Sequence, residues 1–163
     1  MIILVSDTSV LIDLERAGLL DAAFSCGMTM VVPDLLYQRE LETHNGPYLR
    51  SLGLGVVALT AQELSEAQDI KSQRAALSLP DCFALVCSKR PNHCLVSGDK
   101  ALRGEAAART VTVLGLLWLL DRMEERGVPV QSLNAGLTSL LSHPRFRLPR
   151  DEVEARLARW RAA

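Results

Sequence analysis

Short runs of apolar and β-branched residues alternate along the chain with longer stretches of helical period. The short runs predict strands at Ile2–Val5, Thr29–Val32, Val56–Leu59, Cys94–Ser97 and Thr110–Leu114. The longer stretches predict helices at Ser9–Ala17, Asp34–Thr43, Ala61–Leu77, Pro80–Lys89, Lys100–Ala108, Leu116–Arg126, Gln131–Leu141 and Asp151–Trp160. Gly18, Gly46, Gly53 and the Gly127-Val-Pro129 step punctuate them. Strands spaced by helices imply βα units, and therefore a central, mostly parallel five-stranded sheet covered on both faces. The expectation is a three-layer α/β/α domain over residues 1–126. A helical C-terminal extension over 127–163 would pack on that domain or on a partner. In the extension, Val153, Leu157 and Trp160 recur at one face of a helix.

Composition narrows the possibilities. A chain of 163 residues buries roughly 70% of its extended surface, enough for a true core. A hydrophobic fraction of 48% excludes disordered and low-complexity classes. With 18 Lys and Arg against 19 Asp and Glu, the net charge of −1 argues against a generally basic nucleic-acid binder. Any polyanion must then meet a local patch or a metal. The longest apolar run, Val111 to Leu120, is too short to span a bilayer, and Met1–Val5 lacks the flanks of a signal peptide. The expected setting is cytoplasmic, with no membrane association.

The four cysteines form no CxxC pair. Cys82 and Cys87 would point about 140° apart on a helix, among Phe83, Ala84, Leu85 and Val86, so they read as core residues and not as zinc ligands. Gly53-Leu-Gly55-Val-Val-Ala58 has the letters of a dinucleotide fingerprint, but it leads into a strand where the fingerprint must leave one. Neither a phosphate-binding GxxxxGK[ST] loop nor a GxSxG nucleophile elbow is present.

What remains is acidic. Asp7 follows the first predicted strand and Asp99 the fourth, each just before a helix. In a parallel sheet the carboxyl ends of the strands form one ligand-binding edge, so both aspartates face the same crevice. Asp81 enters the first turn of a helix that is apolar nearly all round. Glu40 lies on the Leu36/Tyr37/Leu41 side of its helix, and Glu42 on the far side. Each acid also has an ordinary structural explanation. Asp7 and Asp99 suit helix N-caps, Ser78-Leu-Pro-Asp81 resembles a capping box, and Glu40 could pair with a nearby base such as Arg39. If all four converge, their repulsion calls for a cation, and an all-oxygen shell suits Mg²⁺ or Mn²⁺.

These residues resemble the PIN-domain ribonuclease family and its VapC-type toxins of toxin–antitoxin pairs. The likeness rests on Val5-Ser-Asp7-Thr-Ser-Val-Leu-Ile, Val32-Pro-Asp-Leu-Leu-Tyr-Gln-Arg-Glu40-Leu, Leu79-Pro-Asp81-Cys-Phe-Ala-Leu and Leu95-Val-Ser-Gly-Asp99-Lys-Ala-Leu, in that order. It extends through Leu116-Leu-Trp118, covering roughly Met1 to Arg126. The resemblance implies a PIN-like fold and Mg²⁺- or Mn²⁺-dependent hydrolysis of RNA, with Asp7, Glu40, Asp81 and Asp99 as catalytic and metal-binding acids. It also implies a homodimer and an antitoxin protein as partner. Ser9 stands where many relatives have Asn. Ser97, two residues before Asp99, is placed to hydrogen-bond a carboxylate or a metal-bound water. Lys100 and Arg103 are candidates for substrate phosphates, with a solvated helix face as the alternative. Six arginines against three acids between Arg145 and Arg161 suggest either an ordinary amphipathic helix or an arm facing RNA or another subunit. Two other readings compete. One is a catalytically silent PIN-like protein or RNA interaction module whose acids are only caps. The other is a phosphotransfer receiver domain, which would need a lysine after a later strand that the chain does not evidently supply.

Overall fold

The computed structural model describes residues 1–146 and 148–163. Five strands form one sheet: β1 (Ile3–Ser6), β2 (Thr29–Pro33), β3 (Gly55–Val57), β4 (His93–Val96) and β5 (Val113–Leu114), in the order β3-β2-β1-β4-β5. Every described pairing is parallel, and Ser6 lies opposite Val96 at the carboxyl ends of β1 and β4. Leu4, Val5, Cys94, Leu95 and Val96 are buried, as strands covered on both faces require.

The helices are α1 (Thr8–Arg16), α2 (Leu20–Ser25), α3 (Asp34–Leu36), α4 (Gly46–Leu52), α5 (Ala61–Gln73), α6 (Leu79–Ser88), α7 (Lys100–Ala108), α8 (Leu116–Glu125), α9 (Val130–Leu141) and α10 (Arg150–Ala162). Parallel crossovers are right-handed. The connections β1→β2→β3 run one way across the sheet and β3→β4→β5 the other, so their helices fall on opposite faces. Accordingly α6 lies across β1, β2 and β4 with α5 and α7 against it, while α1 packs on α2 and α9. The result is the three-layer α/β/α fold.

Several predicted elements change shape. The expected helix at Asp34–Thr43 is α3 followed by a π-helical turn, Tyr37–Leu41, in which the Glu42 N–H reaches back five residues to the Tyr37 carbonyl at 2.8 Å. Helix α5 stops at Gln73 and not at Leu77. The third strand starts one residue earlier than expected and ends at Val57. The fifth keeps only Val113 and Leu114, because Thr110 before it turns the chain with φ 58°. Helices α2 and α4 stand in segments read as connections. Gly46, taken as punctuation, is the first residue of α4, with Pro47 in its first turn.

The segment after residue 126 forms α9 and α10. Helix α9 packs on α1, α8 and α10. At Gly136 a methyl group would stand 2.9 Å from the Ala17 carbonyl oxygen and 2.8 Å from the Leu19 side chain, so only glycine lets α9 approach this closely. On α10, Val153, Leu157 and Trp160 are buried. A two-pronged contact from Arg156 to the Asp121 carboxylate, at 2.9 and 2.7 Å, ties α10 to α8. Cys82, Cys87 and Cys94 are free thiols within the core.

Candidate active site

In the strand order, β1 leads outward to β2 on one side while its other neighbour, β4, leads to β5. The chain therefore diverges between β1 and β4, leaving a crevice beyond their carboxyl ends where parallel α/β sheets take ligands. Asp7 is the residue after β1, and Ser97 the residue after β4. The backbone N–H of Asp7 bonds the Val96 carbonyl at 3.1 Å, which carries the pairing one step beyond the strands.

Asp7 is the N-cap of α1 and only 3% exposed. Its Oδ1 accepts the Val10 N–H at 3.0 Å and the Ser9 hydroxyl at 2.9 Å, while its Oδ2 accepts the Ser97 hydroxyl. Ser97 Oγ in turn accepts the Asp99 N–H at 3.0 Å. The Ser97 hydroxyl thus serves Asp7 and the backbone of Asp99, linking the first and fourth motifs of the chain. Burial pushes the Asp7 carboxyl up to about 6, against the pull of its hydrogen bonds, and the negative charge of Asp81 adds to the rise.

Asp99 is exposed and caps α7, accepting the Leu102 N–H at 2.8 Å. Asp81 closes the capping box at the start of α6. Its N–H bonds Ser78 Oγ at 3.1 Å and its Oδ2 accepts the Ser78 N–H at 3.0 Å. Both caps leave the second carboxylate oxygen of their residue without a protein donor among the described residues. A helix that returns the chain to a parallel sheet runs antiparallel to its strands, so the starts of α1, α6 and α7 all lie along the active edge. The capping and functional explanations of these aspartates therefore describe the same positions.

Glu40 sits in the π-helical turn, half-buried, and its Oε1 accepts the Thr8 hydroxyl at 2.7 Å. Glu42 is exposed. Thr8 is the contact that reading the sequence missed. Its neighbours Asp7 and Ser9 carry the motif, and nothing in local spacing announces a partner 32 positions away. Arg103, considered as a phosphate ligand, donates to the Ser97 carbonyl at 2.7 Å. Lys100 is exposed at the start of α7.

Among the described residues none of the four acids forms an ion pair. Nor do any three His, Cys, Asp or Glu side chains stand together closely enough to hold a metal ion as they are. Asp7, Ser9, Ser97 and the Asp99 backbone form one network, Thr8 brings in Glu40, and Asp81 reaches Asp7 through its field. The chemistry of this donor set, carboxylate and hydroxyl oxygens around a buried acid without an ion pair among the described residues, suits a hard divalent cation. Among the described residues no helix is long and apolar enough to cross a membrane.

No curated protein matches the chain at significant similarity. A family model described as a PIN domain matches residues 3–162, which takes in the acidic edge and the C-terminal helices alike. The chain belongs to the PIN-domain family, and its fold is that of a nuclease.

Proposed function

We propose that this protein is a divalent-metal-dependent endoribonuclease and the toxin of a type II toxin–antitoxin pair, working in the cytoplasm as a homodimer. The observation that carries the reading is Asp7. A carboxylate buried at the divergence of two parallel strands, with no ion pair among the described residues, is expensive to maintain unless a cation visits. Asp7, Asp81 and Asp99 would hold Mg²⁺ or Mn²⁺, and Glu40 would complete the shell or orient the attacking water. When bound, such an ion polarises the phosphodiester and makes hydroxide available near neutral pH. Ser97 holds Asp7 and the start of α7 in register, Ser9 adds a second hydroxyl to Asp7, and Thr8 fixes the direction of Glu40. In-line attack of water breaks the bond to O3′, leaving a 5′-phosphate and a 3′-hydroxyl.

The competing reading is a silent PIN-like module, and the closed caps of Asp81 and Asp99 favour it. Total cellular RNA incubated with Mn²⁺, beside an EDTA control and Asp99→Asn, separates the two. Discrete cleavage by the parent alone, and only with metal, supports the nuclease. Loss of cleavage together with an absence of Mn²⁺ binding by the parent supports the module. Co-purification with the product of a small neighbouring reading frame tests the toxin role independently.

A further inference from the structure

Ser97 is fully buried, and each of its polar atoms has a partner. Its N–H bonds the Leu114 carbonyl at 3.0 Å, its hydroxyl donates to Asp7 and accepts the Asp99 N–H, and its carbonyl accepts the Arg103 Nη1–H at 2.7 Å. The last of these bonds comes from a cation and reaches back from α7. A charge-assisted bond is roughly twice as strong as a neutral one, and a buried carbonyl deprived of its donor is costly.

Arg103 also closes a ring. Its backbone N–H bonds the Asp99 carbonyl at 2.9 Å in the first turn of α7. The Asp99 N–H bonds Ser97 Oγ at 3.0 Å, and the Arg103 side chain returns to the Ser97 carbonyl. One residue thus holds the turn Ser97-Gly98-Asp99 at both ends. Both ends matter to the acidic edge, because the first carries the hydroxyl on Asp7 Oδ2 and the last carries the Asp99 carboxylate. Gly98, between them, has no side chain with which to stiffen the turn.

The guanidinium sits against the backbone at Gly115, the residue before α8. Gly115 is extended, with φ −113° and ψ −177°, a conformation open to any residue, so the backbone does not call for glycine. Space does. A Cβ at Gly115 would stand 3.1 Å from Arg103 Nη1, and beyond the adjoining residues the Arg103 head group is all that it would approach within 4 Å. Arg103 is half-buried and forms no ion pair among the described residues. Its head group is directed at backbone and not at a carboxylate.

We propose that Arg103 is a positioning residue of the acidic site: through the Ser97 carbonyl it locks the turn that sets Asp7 Oδ2 and the Asp99 carboxylate in a fixed relation, and the bare backbone at Gly115 gives it its seat. It holds the ligands and not the substrate. This role rests on the metal-site reading for the ion that the acids would share, but order in the turn can be measured without metal.

Amide hydrogen exchange, followed by NMR on the full chain in EDTA, reads the turn at Asp99 and Leu102, whose N–H groups bond Ser97 Oγ and Asp99 Oδ1. Leu95, bonded to the Thr112 carbonyl, is the internal reference. Arg103→Met keeps an apolar stem and removes every donor. It should speed exchange at Asp99 and Leu102 about tenfold and leave Leu95 unaltered. Gly115→Ala removes no hydrogen bond, yet should speed the same two amides about threefold, and should add nothing in the Arg103→Met background. Mn²⁺ affinity without RNA, from the electron paramagnetic resonance of the free ion, should fall about tenfold in Arg103→Met. Equal acceleration at Leu95, which marks general loosening, overturns the proposal, as do additive effects of the two changes. Unaltered exchange and Mn²⁺ affinity in Arg103→Met, with a loss confined to RNA cleavage, overturn it and return Arg103 to the substrate phosphates. A loosened turn with unaltered Mn²⁺ affinity overturns it and leaves the metal reading intact. A parent that binds no Mn²⁺, while Arg103→Met still loosens Asp99 and Leu102, upholds the role of Arg103 in the turn and removes the metal reading instead.

Discussion

Asp7 illustrates how one side chain can be a structural asset in its hydrogen bonds and a liability in its charge. Among the described residues three donors hold its carboxylate, none of them charged, and burial raises its pKa from 3.8 to about 6. Because the folded pKa lies above the unfolded one, the native state binds the proton more tightly. The resulting stability is fully present below about pH 4 and is lost as the pH rises through about 6. A rise of about two units corresponds to roughly 3 kcal/mol. In EDTA, then, parent stability should fall across this window relative to Asp7→Asn, whose curve lacks the Asp7 contribution. Urea denaturation of both proteins at several pH values measures the difference, and parallel curves would refute the assignment. At Glu40 the test concerns direction and not charge. Thr8→Val removes the only hydroxyl that holds Oε1 among the described residues, and should lower cleavage about tenfold while the fold persists. Thr8→Ser should restore it. The same Thr8→Val change made in a Glu40→Gln background should add little, because the two residues act as a unit.

The elements explain which parts of this arrangement the sequence disclosed. Helix starts were legible because Asp7, Ser78 and Asp99 announce themselves as caps immediately before periodic apolar residues. The strands were legible from continuous apolar runs such as Cys94-Leu-Val. The placement of Asp7 and Asp99 at one edge followed from the parallel topology alone. Other features were hidden for physical reasons. Helix α2 has six residues, too few for a period to emerge. The π-helical turn has no local signature, since Tyr37–Leu41 would satisfy an α-helix equally well; what surrounds it is tertiary. At Gly46 a methyl group would lie 2.6 Å from the Leu41 carbonyl oxygen and 2.8 Å from the Tyr37 ring, so α4 presses directly on the turn. Gly46→Ala should therefore destabilise the fold by about 1–3 kcal/mol and weaken Mn²⁺ binding, by displacing the segment that carries Glu40. Thermal melts and metal titration read the two effects separately, and an unchanged metal affinity would disconnect the turn from the site.

Across the whole molecule, the site and the extension are coupled through helix packing. Arg156 and Arg159 on α10 converge on Asp121 of α8. Asp121→Asn removes the charge from a partly buried pair and should cost about 1–3 kcal/mol. Mn²⁺ binding at the sheet edge should hold, because Asp121 pairs with α10 and with none of the four acids. Thermal melts and metal titration on one preparation distinguish this from general unfolding, in which metal binding would fail as well.

The partnership of β1 with β4 also sets an order of events during synthesis. Asp7 emerges early, but the hydroxyl that holds its Oδ2 belongs to a residue 90 positions later. Chains leave the ribosome N-terminus first, and contacts between distant segments are the slow ones to form. Until β4 has been made, Asp7 lacks both the strand beside it and the hydroxyl that holds its Oδ2. Helices α9 and α10 follow later still. On the ribonuclease reading, the topology itself keeps the cutting edge unassembled until β4 has been made.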